Sequence, residues 1–314
     1  MRATLLTLSF PLLVSLSVSA GLPTSLATRY ASGSSSPVAL GATRALAKPT
    51  PASTFSYPAG VAVGADGSVY VVDTDNLVVK KISAAGEVTT LVSTGFSYPT
   101  AVAVGPDGTV YVADAGSHSI KKLTPTGELS ALADRGLAYP AGVAVAPDGT
   151  VYVADAGREA NAGAIRKITP GGRVSTLATG FNKPNGVAVA ADGTVYVADT
   201  DNNSVKKVSP AGAVSEVTCP HLNKPHGVAI DAAGVVYVAD TYNNSIQRVS
   251  TTGVVTPVAS GFTYPSGVAV DAAGALYVTD TGHSALKKIS LTGEVSTLAE
   301  GAASTAASLP LSKE

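Results

Sequence analysis

An aspartate follows a proline at the same distance six times in this chain: Pro58 and Asp73, Pro99 and Asp114, Pro140 and Asp155, Pro184 and Asp199, Pro225 and Asp240, Pro265 and Asp280. Six carboxylates would form a rich metal site if they converged. Their regularity argues against it, because a side chain present once per unit at the same turn serves the unit. Each carboxylate is expected to accept backbone N–H groups from the Thr-x-Asn-Asn turn that follows it. Chemistry confined to one place must come from irregular positions. The residue after each proline is one: Ala59, Thr100, Ala141, Asn185, His226 and Ser266, of which the last three are all polar. A second lies between Asp155 and Ile165, four residues longer than the stretch from Asp114 to Ile120, and carries Arg158, Glu159 and Asn161. Tyr242, in the turn after Asp240, completes the set of candidate ligand-binding side chains.

The four histidines divide by place. His118 and His283 fall in the turn after the repeated aspartate, where other copies carry asparagine, and are expected to be turn residues. His221 has no evident partner. His226 occupies a post-proline position, yet a lone histidine does not make a metal centre, since a catalytic metal usually takes three protein ligands. No cofactor is expected; a divalent cation held by Asn185 and His226 is the one that these residue types would suit, with an incomplete oxygen set. Cys219 is the single cysteine, so it reads as a small buried apolar residue and no intrachain disulfide forms.

The repeat behind these positions is about 41 residues long. Each copy reads as four short strands. Gly60 to Val63 represents the first, and an Asp-Gly turn such as Asp66-Gly67 supplies the positive φ that a hairpin requires. Val69 to Val72 is the second, Ser204 to Val208 represents the third, and Glu87 to Leu91 the fourth. The first two strands are apolar on both faces, so each four-stranded unit must be covered on both sides by neighbours. Six such sheets arranged radially make an all-β fold, a six-bladed β-propeller. Eleven of the 21 basic residues fall on third strands, Lys80-Lys81 and Lys206-Lys207 among them. Their stems are expected to run between blades and carry the charge out to water. Ring closure has two solutions: blade six packs directly on blade one, or residues 38–53 add an edge strand.

The ends differ in kind. Residues 1–20 read as a secretory signal peptide: Met1-Arg2, an apolar run, and Val18-Ser19-Ala20. That run is short and interrupted by Pro11, so no stable membrane span is expected. Residues 21–53 read as a Ser/Ala/Pro-rich linker, 54–300 as the propeller and 301–314 as a tail. The formal net charge is −1, which argues against nucleic acid as a partner. A secreted or periplasmic monomer is expected, with a protein or cell-envelope ligand.

The pattern P-x-G-V-A-V, then D-G-x-V-Y-V-A-D-T, then N-N-S-V-K-K resembles the NHL repeat, and all six copies match it. The chain is similar to the exported NHL propellers of bacterial sensor proteins. That resemblance implies a protein- or ligand-binding module acting through the channel mouth. Six-bladed relatives also include streptogramin lyases, gluconolactonases and the lyase of peptide amidation, which implies a metal-assisted lactonase or lyase as the alternative. The W-F-T-E-like second strand of the streptogramin lyases is absent here, and the chain has no tryptophan.

Overall fold

The computed structural model describes residues 54–217 and 221–301. Residues 1–53, expected to be a signal peptide and a linker, Cys219 and nearly all of the expected tail lie outside the described residues. Six antiparallel sheets, each of four consecutive strands, make up the described chain. In the first, Pro58–Val63, Val69–Asp73, Val78–Ile82 and Val88–Val92 follow one another from the innermost strand outward. The other innermost strands are Pro99–Val104, Pro140–Val145, Pro184–Val189, Pro225–Ile230 and Pro265–Val270. Each packs against the next, and the last returns to the first. This is the six-bladed propeller that the repeat predicts.

The core is a set of layers between blades, and the two-residue period of a strand explains it. Val69 and Val71 pack with Ala269, Tyr277 and Leu286 of blade six. Tyr70 and Val72, on the opposite face, pack with Val102, Val110 and Val112 of blade two. Each fully buried valine contributes roughly 1.5–3 kcal/mol, which no single blade could secure alone. Around the channel the innermost backbones approach closely. A Cβ at Gly186 would overlap the carbonyl oxygen of His226, and one at Gly227 would meet that of Ser266. Space, and not a positive φ, fixes glycine at these positions.

Blade six packs directly on blade one; residues 38–53, the alternative source of an edge strand, lie outside the described residues. Phe55 joins the layer between them. Thr281 Oγ1 donates to the Pro58 carbonyl at 2.7 Å and Thr279 Oγ1 to that of Ala59 at 2.6 Å. The threonine after the repeated aspartate makes the same latch in two further places, Thr200 to the Pro225 carbonyl at 2.7 Å and Thr241 to that of Pro265 at 2.8 Å.

The repeated aspartates organise one end of every blade, but with partners other than the expected ones. Backbone N–H groups do bind them, and these come from the segment preceding the innermost strand. Ser56 N lies 2.7 Å from Asp73, Tyr98 N 2.7 Å from Asp114, Tyr139 N 2.7 Å from Asp155 and Asn182 N 2.7 Å from Asp199. Asn223 N at 2.8 Å and Thr263 N at 2.6 Å do the same for Asp240 and Asp280. The turn that follows contributes a side chain instead of its backbone, such as Asn202 Nδ2 to Asp199 at 2.8 Å.

The third partner corrects the expectation for the first basic residue of each pair, whereas a second one such as Lys207 is exposed. Lys80, Lys206 and Lys287 turn inward onto Asp73, Asp199 and Asp280 at 2.6, 2.5 and 2.5 Å. Lys121 and Arg166 reach Asp114 and Asp155 at 3.2 and 3.1 Å. A buried carboxylate without a counter-charge costs several kcal/mol, so the nearest cation folds onto it and does not extend to water. Lys80, Lys121, Lys206 and Lys287 also lie over the rings of Phe55, Phe96, Phe181 and Phe262. Blade five is the exception. Gln247 stands where the cation would be, and among the described residues Asp240 has hydrogen-bond donors but no ion-pair partner.

Candidate functional site

Pro58 pairs with Asp73, and every blade repeats that pairing. The post-proline residues and the turns after the aspartates therefore share one end of the propeller, the channel mouth. The structure sorts the polar post-proline residues into two kinds. Thr100 Oγ1 donates to the carbonyls of Ala113 and Pro140 at 3.2 and 3.1 Å, tying blade two to blade three. Ser266 Oγ lies 3.2 Å from the Ala59 carbonyl and 2.5 Å from Thr281 Oγ1, within the closing seam. Both hydroxyls are engaged in holding blades together. Asn185 and His226 are half-buried on neighbouring innermost strands, and among the described residues their side chains have no hydrogen-bond partner.

His226 has charged company. Lys224 Nζ pairs with Asp201 Oδ1 at 3.0 Å, and the Lys224 N–H is received by Asn203 Oδ1 at 2.9 Å, which joins the loops of blades four and five. The imidazole keeps some accessible surface, yet protein crowds it enough for burial to be the strongest influence on its proton. Burial lowers its pKa to about 4, Asp201 opposes the shift and Lys224 adds to it. The ring is therefore neutral at physiological pH, a hydrogen-bonding and proton-accepting group.

This has a consequence for stability. The unfolded chain protonates His226 near pH 6.5 and the folded chain near pH 4, so the unfolded state holds more protons between those values. Stability must then fall as pH drops through that window, by roughly 3 kcal/mol in full. His226→Asn is expected to reduce the loss of melting temperature between pH 7 and pH 4 relative to the wild type. Equal losses would show that the histidine is not shielded in this way.

The blade-three insertion lies at the mouth and is braced at both ends. Arg158 Nη2 approaches His118 Nε2 of blade two at 3.4 Å, while Lys183 Nζ donates to the carbonyls of Gly157, Arg158 and Glu159 at 3.2, 3.1 and 3.2 Å. The Asn161 N–H bonds Asn182 Oδ1 at 3.2 Å. Arg158, Glu159 and Asn161 remain exposed, as a fixed wall beside the opening. Tyr242 is exposed as well, and its ring meets that of Tyr264 edge to face, 5.5 Å between centroids. Sequence reasoning passed over Tyr264, Asp201 and Lys224. The tyrosine and the lysine immediately precede their prolines, at a position that varies from copy to copy and was the available signal.

His118 closes the turn of blade two in the left-handed conformation, at φ 52°. His283 takes the place that asparagine holds in blades four and five, 2.8 Å from Asp280. Among the described residues, no three His, Cys, Asp or Glu side chains gather as around a metal ion. On the opposite face an open groove of about 390 Å³ lies between Val63, Ala65, Val270 and Ala273. Its one titratable side chain, Asp271, is held within its own turn by the N–H groups of Ala273 and Ala275.

Comparison with solved structures gives the same fold at low identity. A streptogramin B lyase aligns with a TM-score of 0.63 at 17% identity, over 79% of this chain and 84% of that one. A catalytically inactive histidine-to-alanine variant of virginiamycin B lyase from Staphylococcus aureus, solved with quinupristin, aligns at 0.60 and 17%, over 79% of this chain and 86% of that one. A gluconolactonase from Xanthomonas campestris aligns at 0.64 and 19%, over 72% and 84%. A chain of a nidogen/laminin complex aligns at 0.64 and 18%, over 71% and 90%. Comparison with curated proteins finds no match. The NHL-repeat family model matches residues 262–289, and the model of the virginiamycin B lyase family matches residues 38–244, more than half of the chain. The chain belongs to the virginiamycin B lyase family, built on NHL-type repeats.

Proposed function

We propose that this protein is an exported binding module that holds a protein or cell-envelope ligand at the channel mouth, through Asn185 and His226. The observation that carries this reading is their hydrogen-bonding state. On a scaffold whose six repeated aspartates are all engaged, two polar side chains on adjacent blades keep donors and acceptors for something else. The fixed insertion and the exposed Tyr242 would border that ligand, as an aromatic and polar rim does in protein interfaces. The propeller within the nidogen/laminin complex is in keeping with such a role. Export rests on the first twenty residues of the sequence, and the near-zero charge weighs against a nucleic acid.

Family membership favours one second reading, a lyase acting at the same place. His226 is held neutral, as a general base must be, and loss of a histidine accompanies the catalytically inactive state of a solved relative. Two experiments separate the readings. Purified protein incubated with quinupristin, with and without a divalent cation, should leave it unconverted if the protein is a binder. Conversion that disappears in His226→Ala would assign the lyase activity. In parallel, His226→Ala and Asn185→Ala should each weaken ligand retention by about tenfold or more while melting within a few degrees of the wild type at pH 7. A large loss of stability would make these side chains structural.

A further inference from the structure

Blade six carries a chemical arrangement that the other blades lack. The residue three after the repeated aspartate is an asparagine in blades one, four and five, a serine in blade two and His283 in blade six. His283 Nδ1 lies 2.8 Å from Asp280 Oδ2, and its other nitrogen, Nε2, lies 3.2 Å from Thr263 Oγ1. Asp280 is fully buried and fixed by Lys287 at 2.5 Å and by the Thr263 N–H at 2.6 Å. An ionised carboxylate can only accept, so Nδ1 carries a proton, and in the neutral ring Nε2 presents its lone pair to the threonine hydroxyl. Hydroxyl, imidazole and buried carboxylate thus stand in the order that a nucleophile, its base and the base's orienting group require.

The surroundings suit a flat substrate. Tyr264 follows Thr263 directly in sequence, and its ring stands at 81° to that of Tyr242. Both are 51% exposed, which leaves an aromatic corner open to solvent that begins at the residue after Thr263. His283 is itself accessible, with half of its side chain exposed. Gly282 N donates to the Thr263 carbonyl at 2.8 Å, which fixes the nucleophile-bearing backbone against the turn that carries the base.

We propose that Thr263, His283 and Asp280 form an acyl-transfer site for small aryl esters, separate in its groups from Asn185 and His226. Thr263 Oγ1 attacks the ester carbonyl carbon, and its proton passes to His283 Nε2. The tetrahedral adduct collapses with cleavage of the bond to the aryloxy group, which takes the proton from Nε2 and leaves as the phenol. Water then attacks the acyl-threonine with Nε2 as base, and the acid departs as the threonine hydroxyl regains its proton. Ester and water give acid and phenol, with no redox partner.

The test uses the full chain and p-nitrophenyl acetate. His283→Asn places in blade six the residue that blades four and five use, so the bond to Asp280 and the fold should persist while the basic nitrogen is lost. Nitrophenolate release is expected to fall about 100-fold in His283→Asn and in Thr263→Val. Peptide mass spectrometry of the quenched wild type should find acetyl on Thr263. Thr263→Ser should restore turnover, and Tyr264→Ala should raise KM with little change in kcat. Release unchanged in His283→Asn, or acetyl found only on lysines, would overturn the assignment. His283→Asn alone decides the matter if Thr263→Val does not fold.

Discussion

Asp73→Ala is expected to destabilise the propeller by about 3–5 kcal/mol, the figure for removing one member of a buried ion pair. Lys80 would be left behind with its side chain 3% exposed, and Ser56 N and Asn76 would each lose an acceptor. The repeat turns this into a graded series. Asp199→Ala should cost less, because Lys206 is 20% exposed and can swing to water. Asp240→Ala should cost least, about 1–3 kcal/mol, since blade five strands only two hydrogen-bond donors and no cation. Chemical denaturation of the three variants measures this order. Equal losses would mean that the carboxylates act through hydrogen bonds alone and that the inward lysines add nothing.

Gly186→Val should be comparably damaging, at about 3 kcal/mol, for a different reason. The new side chain has no room beside the His226 carbonyl, so blades four and five must part at the channel. The same displacement moves the backbone of His226, and ligand retention should fall together with the melting temperature. A variant that melts and binds as the wild type would show that the innermost strands are not packed as tightly as this. Neither result depends on the identity of the ligand.

Local patterns made most of the architecture legible. Alternation marked the strands, and the Asp-Gly pairs marked the hairpins, where Asp107 does receive the Thr109 N–H at 3.0 Å, a bond that holds its carboxyl below the usual range. The irregular post-proline positions pointed to the mouth. What escaped was every bond between segments far apart in the chain. The N–H donors to the aspartates lie 16 or 17 residues upstream, at Tyr98 and Ser56 for example, so attention fell on the adjacent turn. Thr100 reaches a carbonyl 40 residues away and Ser266 one 207 residues away. Nothing local could reveal that these two hydroxyls are engaged while the side chains of Asn185 and His226 have no hydrogen-bond partner among the described residues. The lysines followed the same logic, because a polar third strand looks the same whether its charge meets water or a buried carboxylate.

The most direct measurement is affinity selection from an extract of the cell envelope and culture medium. Immobilised wild-type protein is compared by mass spectrometry with the Asn185→Ala/His226→Ala double variant, after both are shown to melt alike at pH 7. A species retained by the wild type and lost from the double variant is the predicted result, and it would place the ligand at the mouth of blades four and five. The same species retained equally by both proteins would contradict the account and move recognition to another face of the propeller.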